Sequence, residues 1–384
     1  MRDYLRIYVL WAPGQDRTAV LAERLSKHFD GLGMERDGAA VRVPVRFRSA
    51  QWDAASLIPR AINLDEAEHN AVVLLHDDYM YEAQAAWDPY LESLRAQMDA
   101  RDGRDVYIPF GSPTGEPGLP SDKRRNTQYA RRDHWRASLP APDARALRFL
   151  LHVVFRLREH FRSLYRPSSP DESLFVSHAK ADGDGAAQAI VNYVNSTNQD
   201  VPLSTFYDAK ELMPGEDFQN VFEEEINRGT LLAIVSDLYD SRPWCVFELT
   251  TAKRARRPIV LVDVGRVRTS RTYPYGANLP RVRPARVSTG TDWIEEVLVE
   301  AMSEGLRCDL FQAEAEKIAK ARGVNKPVIV SRPPELFDLI EVVGDGETLI
   351  YPDPPLGRTE HAILENARAA VRPSLQLKTL SQLA

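Results

Sequence analysis

Short, uninterrupted apolar runs, each leading through a polar loop into an amphipathic stretch, constrain this chain more than any other feature. The pattern occurs twice. In the first copy Leu5-Arg6-Ile7-Tyr8-Val9-Leu10-Trp11 passes through Ala12-Pro13-Gly14-Gln15-Asp16 to helix-spaced apolar positions at Val20, Leu21, Leu25 and Phe29. In the second, Ser173-Leu174-Phe175-Val176-Ser177 passes through His178-Ala179-Lys180-Ala181-Asp182 to Ala186, Ile190, Tyr193 and Val194. Residues 71–79 match residues 231–239 in position and pattern, each run followed by a tryptophan-bearing helix, and residues 106–110 match 258–262 as a last core strand. Runs that are apolar throughout and alternate with amphipathic helices belong to strands buried on both faces, which specifies parallel, doubly wound α/β units. Two such domains are expected in tandem, over residues 1–165 and 172–323.

The stretches between and after the copies read differently. A linker is expected at 166–171, from Arg166-Pro167-Ser168-Ser169-Pro170. Before it, residues 144–165 carry Leu147, Leu151, Val154, Leu157 and Phe161 on one helical face. Lys123, Arg124, Arg125, Arg131, Arg132 and Arg136, with Tyr129 and Trp135 interleaved, form a basic segment that suits either a solvated loop or a phosphate or nucleic-acid contact. Residues 292–322 read as helix with a break near Gly305, and 324–384 as a small α/β extension. In that extension 327–330 and 347–351 read as strands, and 333–339 and 360–370 as helices.

Charge and cysteine usage exclude several function classes. With 49 Lys and Arg against 55 Asp and Glu the net charge is -6, so the chain offers no general attraction for nucleic acid or an anionic membrane. Cys245 and Cys308 are the only cysteines and lie far apart, which argues against a disulfide scaffold and for a reducing cytoplasm. No apolar run approaches the ~20 residues needed to span a bilayer, and Met1-Arg2-Asp3-Tyr4-Leu5-Arg6 lacks an export signal's apolar core. No metal-ligand spacing stands out, and His152 and His160 fit packing or a solvent-facing position better than ligation.

Trp244-Cys245-Val246-Phe247-Glu248 opens the helix that follows the 231–236 run, and its four-residue spacing puts an indole and a carboxylate on one helical face. That face lies at the carboxyl edge of a parallel sheet, where open α/β folds hold ligands. Four motifs in order, 174–182, 206–218 with its Pro214-Gly215 turn, 234–239, and 244–248 followed by Ala252-Lys253, together resemble a Toll/interleukin receptor (TIR) domain of the bacterial kind. The resemblance implies a flavodoxin-like sheet, with a TIR-type domain in each half.

Many TIR domains cleave NAD+, so the resemblance implies an NAD+ nucleosidase in which Glu248 is the catalytic carboxylate and NAD+ is substrate, with no further cofactor. It also implies that Ser177, His178, Ala179 and Lys180 line the nucleotide pocket, with Asp208 and Lys210 at the start of the BB loop, and that Phe206, Tyr207 and Trp244 offer stacking surfaces. Nicotinamide departs as a neutral ring from a cationic one, so no general acid is needed, unlike the carboxylate pair of most glycosidases. Self-association is implied too, the BB loop of one copy completing the pocket of the next, as is a place in anti-phage immunity. A non-enzymatic TIR adaptor is the rival reading. The first copy departs from the pattern: Trp87-Asp88-Pro89-Tyr90-Leu91-Glu92 sets its carboxylate five residues from the tryptophan, and the Ser-His pair is missing from Leu10-Trp11-Ala12-Pro13. Residues 1–165 are therefore expected to be a degenerate TIR-like domain that senses a ligand or partner without catalysis.

Overall fold

The apolar runs form strands, and every ladder between named strands is parallel. The computed structural model describes residues 3–30, 41–51, 56–114, 127–165, 173–196, 200–206, 218–266, 276, 278–284 and 290–383. Two compact units divide the chain, Met1–His160 and Phe161–Ala384.

In the first unit β1 (Asp3–Leu10), β2 (Val45–Arg48), β3 (Ala67–Leu75) and β4 (Val106–Phe110) are ordered β2-β1-β3-β4. The helix Asp16–Asp30 turns Thr18, Ala22, Leu25 and Phe29 inward, spaced four, three and four residues apart. Val20, expected on that face, is 63% exposed, because the stripe runs through the small Ala22 instead. The helix Pro142–Tyr165 follows the expected span, yet it buries Phe149, Leu150, Val153 and Phe155 beside the predicted Leu151, Val154, Leu157 and Phe161.

The basic segment is not solvated throughout in its described part: Arg131 and Arg136 are exposed, but Arg132 and the two interleaved aromatic residues are drawn inward. Arg132 is buried, donating from Nε to the carbonyl of Gly111 at 2.6 Å and from a terminal nitrogen to that of His76 at 2.7 Å, so it ties the ends of β3 and β4 together. Tyr129 and Trp135 are buried as well, and His152 stacks on Trp135 at 5.4 Å. Lys123, Arg124 and Arg125 lie outside the described residues.

In the second unit β5 (Ser173–His178), β6 (Ser204–Phe206), β7 (Thr230–Val235), β8 (Ile259–Asp263) and β9 (Arg281–Val282) are ordered β6-β5-β7-β8-β9. The first four repeat the strand order of the other unit, so β5 and β7 are central. Gly229 makes their approach feasible: a Cβ there would stand 1.6 Å from the Ser173 carbonyl oxygen. The core on one face joins Phe175, Phe206, Phe222, Leu231 and Ala233 to Tyr239, Cys245 and Leu249.

The expected break near Gly305 is absent. One helix runs from Asp292 to Ala321, with Gly305 buried between Ala301, Met302 and Leu306, and packing on both sides of that point outweighs a glycine cost of about 1 kcal/mol. Beyond it β10 (Pro327–Ile329), β11 (Thr348–Tyr351) and β12 (Gln376–Thr379) form a third parallel sheet, ordered β10-β11-β12. The helix Arg358–Val371 lies close to its predicted span. The short helix expected over 333–339 is instead a single turn ending in π geometry at Asp338–Val342, and β12 and the turn Leu380–Leu383 were not foreseen. Asp338, fully buried, draws that turn inward by taking both terminal nitrogens of Arg332, at 2.7 and 2.6 Å, and the backbone N–H of Glu335. No described helix is long and apolar enough to cross a membrane.

Candidate active site at the carboxyl edge of β5 and β7

The helix Pro243–Arg254 starts with proline in its first turn, where the missing N–H costs nothing. Cys245, Glu248, Leu249 and Ala252 form its buried stripe, three, one and three residues apart, so a carboxylate sits among core positions. Burying an ionised group without partners is prohibitive, and Glu248 meets one at once: the Ser177 hydroxyl lies 2.5 Å from its Oε2. Ser177 is the penultimate residue of β5 and pairs in register with Ala233 of β7, which places this contact at the sheet's carboxyl edge.

The same Ser177 oxygen lies 2.8 Å from the Tyr239 hydroxyl. Burial and then the neighbouring Glu248 hold the Tyr239 pKa well above the ordinary tyrosine value, so its proton stays on. Tyr239 belongs to the short turn Tyr239–Ser241 between β7 and the Glu248 helix. Asp182 secures the approach to that turn, accepting from the Ser236 hydroxyl at 2.7 Å and the Leu238 backbone N–H at 2.9 Å. Asp182 and Tyr239 lie within the sequence motifs but show no role there; only the fold brings their oxygens to these partners.

The remaining expected site residues fall into distinct places. Trp244, one turn before Glu248, is 55% exposed, its ring edge-on to Phe222 and Phe247 with centroids 6.1 and 5.7 Å away. Phe206 is buried, stacked on Phe175 at 5.2 Å, so its ring is occupied by core packing. Ala179 is buried, Lys180 is exposed, and His178 is buried with Nε2 3.5 Å from Asp184 Oδ1. Tyr207, Asp208 and Lys210 lie outside the described residues. Cys245 packs as a small apolar group in the core, and burial pushes the Cys308 thiol up to about 12. Among the described residues no group of three or more His, Cys, Asp or Glu could hold a metal.

This geometry coincides with the region that sequence comparison singles out: residues 174–298 match the TIR domain family. Those residues, about a third of the chain, carry the match to a TIR domain. That region spans β5 to the first turns of the Asp292–Ala321 helix, and so holds Ser177, Tyr239, Trp244 and Glu248. No curated protein matches the chain. Among solved structures it is similar to tagatose-6-phosphate ketose/aldose isomerase from Escherichia coli, at 10% identity over 81% of this chain and 83% of that one, with a TM-score of 0.19. A protein named as a phosphosugar isomerase from Silicibacter pomeroyi is similar at 12% identity over 84% and 88%, with a TM-score of 0.16. Both scores are far below those of chains that share a fold.

Proposed function

We propose that the TIR region, residues 172–323, is an NAD+ nucleosidase that releases nicotinamide by hydrolysis or cyclisation and acts as a cytoplasmic anti-phage effector activated by self-assembly. The observation that carries this reading is the exposed Trp244 indole standing one turn from Glu248 at the carboxyl edge of β5 and β7. The indole offers a stacking face for a planar base, worth roughly 1 kcal/mol. Glu248 would stabilise the oxocarbenium-like charge that develops on the ribose as the neutral pyridine leaves, an interaction stronger in the transition state than in the ground state. The fixed Ser177 contact holds one carboxylate oxygen in place before reaction, which reduces reorganisation at that moment.

Incubation of concentrated protein with NAD+ tests the reading. Glu248→Gln is expected to lower turnover on the order of a hundredfold or more. Turnover that survives this change at wild-type rate removes Glu248 from the chemistry. Assembly through the BB loop is part of the proposal, and a monomer that is fully active in size-exclusion and turnover assays would refute it.

One observation favours the adaptor alternative: Glu248 is only 5% exposed. A buried carboxylate bonded to a strand-end serine is also what a docking scaffold needs to lock its helix onto the sheet. In that case Glu248→Gln leaves NAD+ untouched in both proteins and lowers the melting temperature alone.

A further inference from the structure

We propose that Tyr239 and Ser177 are positioning residues, a two-hydroxyl relay that aims the Glu248 carboxylate from beneath; this rests on the reading of Glu248 as the reacting carboxylate. Proton count sets the direction of both bonds. A serine hydroxyl carries a single proton, and an ionised carboxylate only accepts, so at 2.5 Å the Ser177 proton points to Glu248 Oε2. The Ser177 oxygen then has lone pairs left, and the Tyr239 hydroxyl 2.8 Å away donates to it. Tyr239 is suited to be a permanent donor, since burial keeps it protonated. Its titratable neighbours, Glu248, Cys245 and Asp240, act in the same direction.

The order Tyr239 to Ser177 to Glu248 has a physical consequence. Each hydrogen bond polarises the next, so the serine is a stronger donor than it would be alone. The tyrosine also stops the serine hydroxyl from rotating away, because its own bond fixes where the serine's lone pairs lie. Both side chains are almost fully buried, 1% and 2% exposed, so solvent does not substitute for either. The three groups come from the end of β5, the turn after β7 and the helix beyond it, so the relay also ties three elements of the site together.

Tyr239→Phe, Ser177→Ala and the double variant of the full chain test the relay by NAD+ turnover and by 13C titration of the Glu248 carboxyl, the signal missing from Glu248→Gln. Tyr239→Phe is expected to lower kcat about fivefold with KM within about twofold, and Ser177→Ala to lower kcat about thirtyfold. The double variant falls no further than Ser177→Ala, because the tyrosine acts through the serine. In both single variants the carboxyl midpoint moves to higher pH, since a donor to the ionised form has been weakened or lost. An unchanged midpoint in Tyr239→Phe, or losses that add in the double variant, overturns the relay. A merely structural contact would lower the melting temperature and leave kcat in place. If the wild type does not turn over NAD+, the nucleosidase reading fails, and the titration still decides the relay. Should Ser177→Ala not fold, Tyr239→Phe decides alone, as it removes one oxygen and keeps the ring.

Discussion

The helix after the third strand carries a tryptophan and a glutamate in both units, and the two units use them in opposite ways. In the N-terminal unit Trp87 is 1% exposed and Glu92 is exposed. In the TIR region Trp244 is 55% exposed and Glu248 is 5% exposed. Five positions carry a helix about 140° round, which accounts for the opposite exposure of Trp87 and Glu92. Four return it to within about 40°, so Trp244 and Glu248 part only because Trp244 stands in the helix's first turn while Glu248 sits over Ser177. The strand beneath agrees with the difference. Val9 pairs with Val73 at the position where Ser177 pairs with Ala233, so the N-terminal unit offers an apolar side chain where the TIR region offers a hydroxyl. A carboxylate could not be buried above Val9 without losing its hydration, and Glu92 accordingly faces water. The first unit thus has the strand order of the second, with an apolar pair at the register position where the second sets a hydroxyl beneath a carboxylate.

The sharpest way to break this comparison is to truncate both tryptophans. Trp87→Ala is expected to cost about 3–5 kcal/mol of stability as a core cavity, while Trp244→Ala costs less than about 1 kcal/mol. Denaturant titrations of the two variants check this, and equal costs would mean that the exposed indole is as structural as the buried one.

A second difference lies in acid sensitivity. Burial, and then the charge of Arg132, hold His76 of the N-terminal unit down to about 4 from an ordinary 6.5. Between those pH values the unfolded chain binds more protons than the folded one, so stability is complete above about pH 6.5 and falls as pH drops toward 4. The loss from His76 alone is roughly 3 kcal/mol at pH 4. Replacing it in His76→Asn should flatten the decline of melting temperature below pH 6.5. An unchanged slope would assign the acid sensitivity elsewhere, His28 being the next group that burial depresses to about 4.

The smallest effect expected is on binding. Trp244→Ala should raise the KM for NAD+ about fivefold with little change in kcat, the loss of one stacking face. No change in KM would leave the indole to partner contacts and favour the adaptor.

Much of the fold was legible because apolar continuity and helical spacing are local signals. The runs at 5–11, 71–75, 173–177 and 231–235 all became strands, since a buried parallel strand is apolar throughout. Gly305 misled because an isolated glycine reads as a helix break, and burial on both sides decides against it only once the neighbouring elements are placed. β12 escaped notice because Gln376-Leu377-Lys378-Thr379 alternates like an edge strand and is too short to show a period. Of the site, the spacing of Trp244 and Glu248 was visible, and the likeness to TIR domains brought in Ser177. Neither showed that Phe206 would be taken into the core or that Arg132 would be buried against two carbonyls.

The sequence by itself determined where the central strands and the helices beside them lie, and that an indole and a carboxylate share one turn, because periodicity and spacing are properties of consecutive residues. Which of that pair faces solvent, and that hydroxyls 71 residues before and 9 residues before Glu248 line up beneath it, was decided by strand order and register alone. Hydrogen bonds between residues far apart in the chain leave no periodic trace, so they exist only once the sheet has brought its carboxyl ends together.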